Sequence, residues 1–139
     1  MSEYKKPLPL MTKLSRIFYE GCKRGKLLYQ QCRDCQEVVF FPKELCSSCM
    51  SRDLEWKESE GKGKIHTFTV TYEGAPPEFM ADAPFALAII NMDEGFRIMS
   101  NIVGCDLDRI VCDMRVEVVF DPVTSEITIP RFRPETVQA

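Results

Sequence analysis

Apolar positions near the start of the chain recur at helical spacing. Leu14, Ile17, Phe18 and Cys22 fall at i, i+3, i+4 and i+8 on one face. Thr12 stands where an N-cap hydroxyl belongs, Lys23 and Arg24 suit the negative end of the helix dipole, and Gly25 supplies a left-handed stop. After Gly61-Lys62-Gly63 the period changes to two. Segment 65–72 alternates His66, Phe68, Val70 and Tyr72 against Ile65, Thr67, Thr69 and Thr71, as a strand with unequal faces does. Segment 84–92 is apolar on both faces and is expected to be central. Asp93-Glu94-Gly95 then turns the chain into a strand over 96–103. A connection rich in aspartate, 106–113, leads to a strand over 115–120, and Asp121-Pro122 turns toward a last one over 126–129. Five short antiparallel strands with one longer connection before the fourth predict a small OB-type barrel.

Between helix and barrel lie two cysteine pairs, Cys32-Arg33-Asp34-Cys35 and Cys46-Ser47-Ser48-Cys49. Two thiolates separated by two residues bind one ion from a single tight turn, and a second such turn completes a tetrahedron. Segments 27–31 and 54–58 read as the strands that deliver and leave the knuckles, with Trp56 as a packing anchor, and 38–41 as a short excursion between them. The pattern is a rubredoxin-like zinc ribbon. Iron would accept the same four thiolates, and spacing does not separate the two metals. Paired disulfides fit poorly, because Met1-Ser2-Glu3-Tyr4-Lys5-Lys6 lacks the apolar stretch of a signal peptide and points to the reducing cytoplasm. Four protein sulfurs leave the ion no open position, so its expected role is structural and contributes on the order of 10 kcal/mol to folding. Knuckles often place glycine directly after the second cysteine, where φ tends to be positive. Here those places hold Gln36 and Met50.

The expected organisation is mainly β: a helical segment over 1–25, the ribbon over 26–61, the OB fold over 62–133 and a tail over 134–139. With 139 residues and a net charge of -3, the chain has no run long enough to span a membrane. Its first half is net basic and its barrel segment net acidic, which disfavours nucleic acid. Catalytic chemistry is hard to assemble. The single histidine, His66, lies on a strand and reads as a packing residue. Cys22, Cys105 and Cys112 read as small buried hydrophobes, and Asp106, Asp108 and Asp113 as a solvated loop. Segment 72–84 is different in kind: three prolines and the Phe79-Met80 pair make it too long for a hairpin turn and too apolar for a plain loop. It suits either a lid over the barrel end or a contact surface.

Several stretches together resemble one family. Phe18-Tyr19-Glu20-Gly21, Gly25-Lys26-Leu27-Leu28-Tyr29-Gln30-Gln31-Cys32, Phe41-Pro42 between the cysteine pairs, Asn101-Ile102-Val103 and Pro130-Arg131-Phe132-Arg133-Pro134 look like the zinc-ribbon/OB-fold proteins associated with acyl-CoA enzymes. Tyr19 departs from a common tryptophan. The resemblance implies a non-catalytic subunit of a hetero-oligomer that binds a thiolase-type partner, or less often an enoyl-CoA hydratase, and helps form its CoA-thioester site. In layout it is similar to the small subunits of benzoylsuccinyl-CoA thiolases of anaerobic toluene degradation. It implies contacts from Phe18 and Tyr19 on the helix, from Pro76, Pro77, Phe79 and Met80 in the loop, and charge for CoA phosphates from Lys23, Arg24 and Lys26. Those three cations also suit a helix C-terminus. A rubredoxin-like electron carrier is the alternative of another class.

Overall fold

The computed structural model describes residues 8–81 and 83–135. Residues 1–7 and 136–139, which hold the start of the chain and most of the expected tail, lie outside the described residues, as does Asp82 in the proline loop. Helix α1 spans Lys13–Lys23. Thr12 caps it in a reciprocal box with Ser15, and Gly25 at φ 77° ends it, with the Lys26 N–H donating to the Gly21 carbonyl at 2.8 Å.

A three-stranded antiparallel sheet follows, β1 (Leu27–Cys32), β2 (Val38–Val39) and β3 (Leu54–Ser59), in the order β2-β1-β3. The barrel comprises β4 (Lys62–Thr71), β5 (Phe85–Met92), β6 (Arg97–Ile102), β7 (Arg115–Pro122) and β8 (Thr128–Pro134), closed in the order β4-β5-β6-β8-β7. One turn of helix, α2 (Pro77–Met80), lies in the proline loop between β4 and β5.

Four details correct the expectation. The last strand runs over Thr128–Pro134, not 126–129, and absorbs the Pro-Arg-Phe-Arg-Pro segment. Its prolines are tolerated because the β7 ladder is carried by the other set of residues. Val123 N–H donates to the Ile127 carbonyl, which places 127, 129, 131 and 133 toward β7 and turns Pro130 and Pro134 away from it. Second, the barrel is not wholly antiparallel, since β6 and β8 meet in parallel.

Third, His66 is exposed. It is the extra residue where the β4–β5 register shifts between Ile65 and Thr67, and the bulge lets Ile65 on one side of it and Phe68 on the other both turn inward. Fourth, Cys112 is exposed and Cys105 half-buried, leaving Cys22 as the one fully buried thiol of that trio.

Helix, ribbon base and barrel share one core. Phe18, Cys22, Leu27 and Tyr29 pack in the same cluster as Ile65, Ile90, Phe96, Val116 and Phe132. Tyr29 stacks on Phe96 at 5.0 Å, and Phe40 lies 4.8 Å from the same ring. The tip of the ribbon has only Cys32, Val39 and Cys46 buried, with Leu54 against them. So small an apolar cluster cannot hold a fold by itself, which is why the tip needs its cysteines.

Candidate metal centre and adjoining surface

Strand β1 ends in Cys32, so the first thiol is fixed by the sheet. Each knuckle is then closed by two backbone bonds of the same kind. Cys32 N–H donates to the Glu37 carbonyl at 2.9 Å and Gln36 N–H to the Cys32 carbonyl at 3.0 Å. In the second knuckle Cys46 N–H donates to Ser51 at 2.8 Å and Met50 N–H to Cys46 at 2.9 Å. The four sulfurs lie within 4.8 Å of one another, with Cys32 to Cys49 and Cys35 to Cys46 each 3.6 Å apart. A tetrahedron with Zn–S bonds of about 2.3 Å has edges of roughly 3.8 Å, so these side chains fit such an ion closely.

Backbone amides point at the sulfurs. Cys35 N–H lies 3.5 Å from Cys32 Sγ, and Ser48 N–H 3.4 Å from Cys46 Sγ. The N–H groups of Cys49 and Ser48 lower the Cys46 thiol, while burial and the neighbouring thiols raise Cys35 and Cys49, so those protons would leave as a metal binds. Cys32 and Cys46 are buried while Cys35 and Cys49 reach the surface. Zinc bound by all four would be coordinatively complete. Its contribution would be to tie the tip together, with no position left for substrate.

The other residues singled out in the sequence are dispersed. Phe18 is 2% exposed, so it supports the surface without forming it. Tyr19 is half-buried beside it, with ring centroids 5.1 Å apart, and lines a groove. Lys23, Arg24 and Lys26 are all exposed at the end of α1. Pro76 and Pro77 are exposed and Phe79 and Met80 half-buried in and beside α2. The loop springs from the Thr71–Phe85 end of the β4–β5 pair, whereas the Gly63–Met92 end carries the hairpin against the ribbon. There Glu94 accepts from Ser59 Oγ at 2.7 Å and from Glu60 N–H at 2.8 Å.

Sequence reasoning missed the groove itself. It has a volume of about 560 Å³ and lies where α1, the ribbon residues Phe40 and Phe41, β6 and β8 converge. Phe18 contacts Phe40 and Phe41 at 5.6 and 5.0 Å, forming an aromatic end wall. The Phe40-Phe41 pair was the available signal: two large rings beyond a two-residue strand have no room in the small ribbon core.

Comparisons with known proteins agree with this construction. Residues 20–55 match the ChsH2 rubredoxin-like zinc ribbon domain, and residues 56–121 match the ChsH2 C-terminal OB-fold domain. A probable enoyl-CoA hydratase alpha subunit of Thermomonospora curvata is 29% identical over 133 residues, 96% of this chain but 41% of that protein. The chain thus spans about two-fifths of that relative's length. Benzoylsuccinyl-CoA thiolase subunit BbsA of Geobacter metallireducens is 28% identical over 104 residues, covering 73% of this chain and 68% of that one. Among solved structures, one described as an Ltp2-ChsH2(DUF35) aldolase superposes with a TM-score of 0.81 at 28% identity, over 91% of this chain and 98% of the other. A DUF35 domain-containing scaffold protein of Methanothermobacter thermautotrophicus is 35% identical over 118 residues, 84% of this chain and 88% of the relative. With its zinc-ribbon cysteine cluster and OB barrel both in place, the chain belongs to the DUF35 family of scaffold proteins.

Proposed function

We propose that this chain is the non-catalytic, zinc-stapled subunit of a thiolase-type enzyme acting on CoA thioesters. Its part is to dock on the catalytic subunit and help shape the thioester site. The observation that carries this reading is the likeness to benzoylsuccinyl-CoA thiolase subunit BbsA, and the likeness over nearly the whole of both chains to a chain of the Ltp2-ChsH2(DUF35) aldolase supports a role beside a catalytic partner. The chemistry of the chain supports it. Cys22 is sealed in the core with its thiol pushed up to about 12 by burial, and His66 is exposed, with Asn91 Nδ2 3.4 Å from its Nδ1. Neither arrangement provides a nucleophile with a base in reach. Bond making is left to the partner.

Within this reading, Lys23, Arg24 and Lys26 offer positive charge to CoA phosphates, and the turn from Pro76 to Met80 offers a preorganised apolar contact. A cytoplasmic location belongs to the same reading, since four thiolates stay reduced there. Thiolysis of benzoylsuccinyl-CoA in anaerobic toluene degradation is the specific reaction; it rests on the likeness to the Geobacter subunit.

A tagged copy expressed in its native host tests the reading. We expect a thiolase-type subunit to be retained through stringent washing, stoichiometric zinc in the preparation, and acyl transfer only from the complex. Activity with benzoylsuccinyl-CoA and free CoA would establish the specific reaction. Phe79→Ala or Met80→Ala should weaken assembly or turnover without unfolding the barrel. The likeness to the Thermomonospora protein supports a second reading, an accessory subunit of an enoyl-CoA hydratase. Retention of a hydratase would decide for it. Iron with reversible one-electron reduction would instead favour an electron carrier.

A further inference from the structure

We propose that the seam between β6 and β8 receives an extended segment of the catalytic partner, which adds to β6 as a strand and seats an apolar side chain beside Tyr19 and Phe41. This inference rests on the partner reading above and specifies where that partner docks.

The barrel closes through very little pairing at this point. Strands β6 and β8 are matched only at Ile102 and Phe132. On the other side of β6 the pairing with β5 is complete from Arg97 to Ile102. Its phase follows from the hairpin, where Met92 N–H donates to the Phe96 carbonyl at 2.8 Å. Residues 96, 98, 100 and 102 therefore direct their backbone groups at β5, and Arg97, Met99 and Asn101 direct theirs into the seam. The bond from Val103 N–H to the Phe132 carbonyl at 2.7 Å, on the seam side, has the same phase. Among the described residues, no bridge to β8 is formed on the seam side of Arg97 and Met99.

Strand β8 lacks the donor that would stand opposite the Met99 carbonyl. Pro130 faces the seam without an N–H, and its carbonyl already accepts from Ser100 Oγ at 2.8 Å. The gap is therefore built into the sequence of β8. It is also the groove of about 560 Å³, lined by Tyr19, Phe41, Arg97, Met99, Ile129 and Pro130. Met99 is 64% and Phe41 41% exposed, so the walls are apolar and open to solvent.

These features identify the occupant by its chemistry. Donors and acceptors that repeat every second residue along an edge match an extended polypeptide backbone, which an acyl chain does not offer. The aromatic end wall calls for an apolar side chain on that segment. Arg97 at the mouth uses Nε on Asn91 Oδ1 at 2.7 Å and meets no carboxylate among the described residues, so an acidic residue on the segment would complete it.

Residue-resolved hydrogen exchange on the full chain, free and in the complex purified with its catalytic subunit, tests the proposal. The amides of Arg97 and Met99 should exchange at least about tenfold more slowly in the complex, while residues 98 and 100, already bonded to β5, change little. Met99→Pro removes a seam-facing N–H without touching the β5 ladder and should weaken the complex by about tenfold or more. Phe41→Ala, which leaves β6 intact, should weaken it similarly. A complex with a CoA-thioester enzyme in which the seam amides exchange as in the free chain overturns the seam while leaving the functional reading standing. A partner unrelated to CoA chemistry overturns both. Seam protection in the isolated chain on adding CoA or acetyl-CoA, or on raising its own concentration, would assign the groove to a ligand or a second copy and also overturn the proposal.

Discussion

Gln36 and Met50 stand at the same backbone angle, φ 65°, one residue past the second cysteine of each knuckle. Both donate their N–H back to the first cysteine of their own pair, so the left-handed turn is what closes each loop around the metal site. A residue with a Cβ pays for that angle, where glycine would not. Met50 is 68% exposed, so Met50→Gly removes the strain with little loss of packing. We expect a gain of about 0.5–1 kcal/mol in the zinc-loaded protein. Gln36→Gly should gain less, because the Gln36 side chain donates to the Arg33 carbonyl at 3.0 Å. Thermal unfolding of the two variants checks both values, and a clear loss for Met50→Gly would sink the strain argument.

Gly63 occupies a different kind of constraint. A Cβ at this position would lie 2.5 Å from the Asn91 backbone oxygen and 3.0 Å from Met92 Cα. Neither atom can withdraw without opening the β4–β5 ladder. Gly63→Ala should therefore cost about 1–3 kcal/mol. Chemical denaturation would show it as a lower midpoint, and a neutral result would mean that the strand pair adjusts more freely than its packing suggests.

The buried thiol of Cys22 makes stability sensitive to base. Burial raises it from its ordinary value near 9 to about 12, so the folded state prefers the protonated form. For an acid raised on folding, the contribution is complete below the unfolded value and is lost as pH climbs toward the folded one. Between about pH 9 and about pH 12 the native protein should lose stability, and Cys22→Ala should lose less over the same range. The variant starts lower because it leaves a small void, so the slope with pH is the quantity to compare. Equal slopes would assign the alkaline loss to other groups, such as Tyr29, which burial also raises.

Much of this fold was legible because it is set locally. Thr12, the apolar stripe and Gly25 are contained in one helix, and the cysteine spacing is contained in two turns. What escaped depends on partners distant in sequence. His66 becomes exposed only because β4 slips by one residue against β5, and nothing within 65–72 announces a bulge. The prolines of β8 argue against a strand until the phase of its pairing with β7 is known. The groove draws residues from α1, the ribbon, β6 and β8, and it lies beside a strand pairing that is matched only at Ile102 and Phe132.

Phe96 is where the ribbon packs on the barrel. Its ring stacks on Tyr29 from β1 at an interplanar angle of 25° and meets Phe40 at 34°, while its own backbone begins the β6 side of the hairpin. The ribbon tip has almost no core beyond Cys32, Val39 and Cys46, so removing zinc with a chelator should melt it and expose Phe96. If ribbon folding is completed by packing on this ring, the coupling must run both ways. Phe96→Ala should then destabilise the chain by about 3–5 kcal/mol and also weaken zinc binding by about tenfold, although no ligand is altered. Competition against a chromophoric chelator reads the second effect. An unchanged zinc affinity alongside a destabilised barrel would show that the ribbon folds around its metal without help from the rest of the chain.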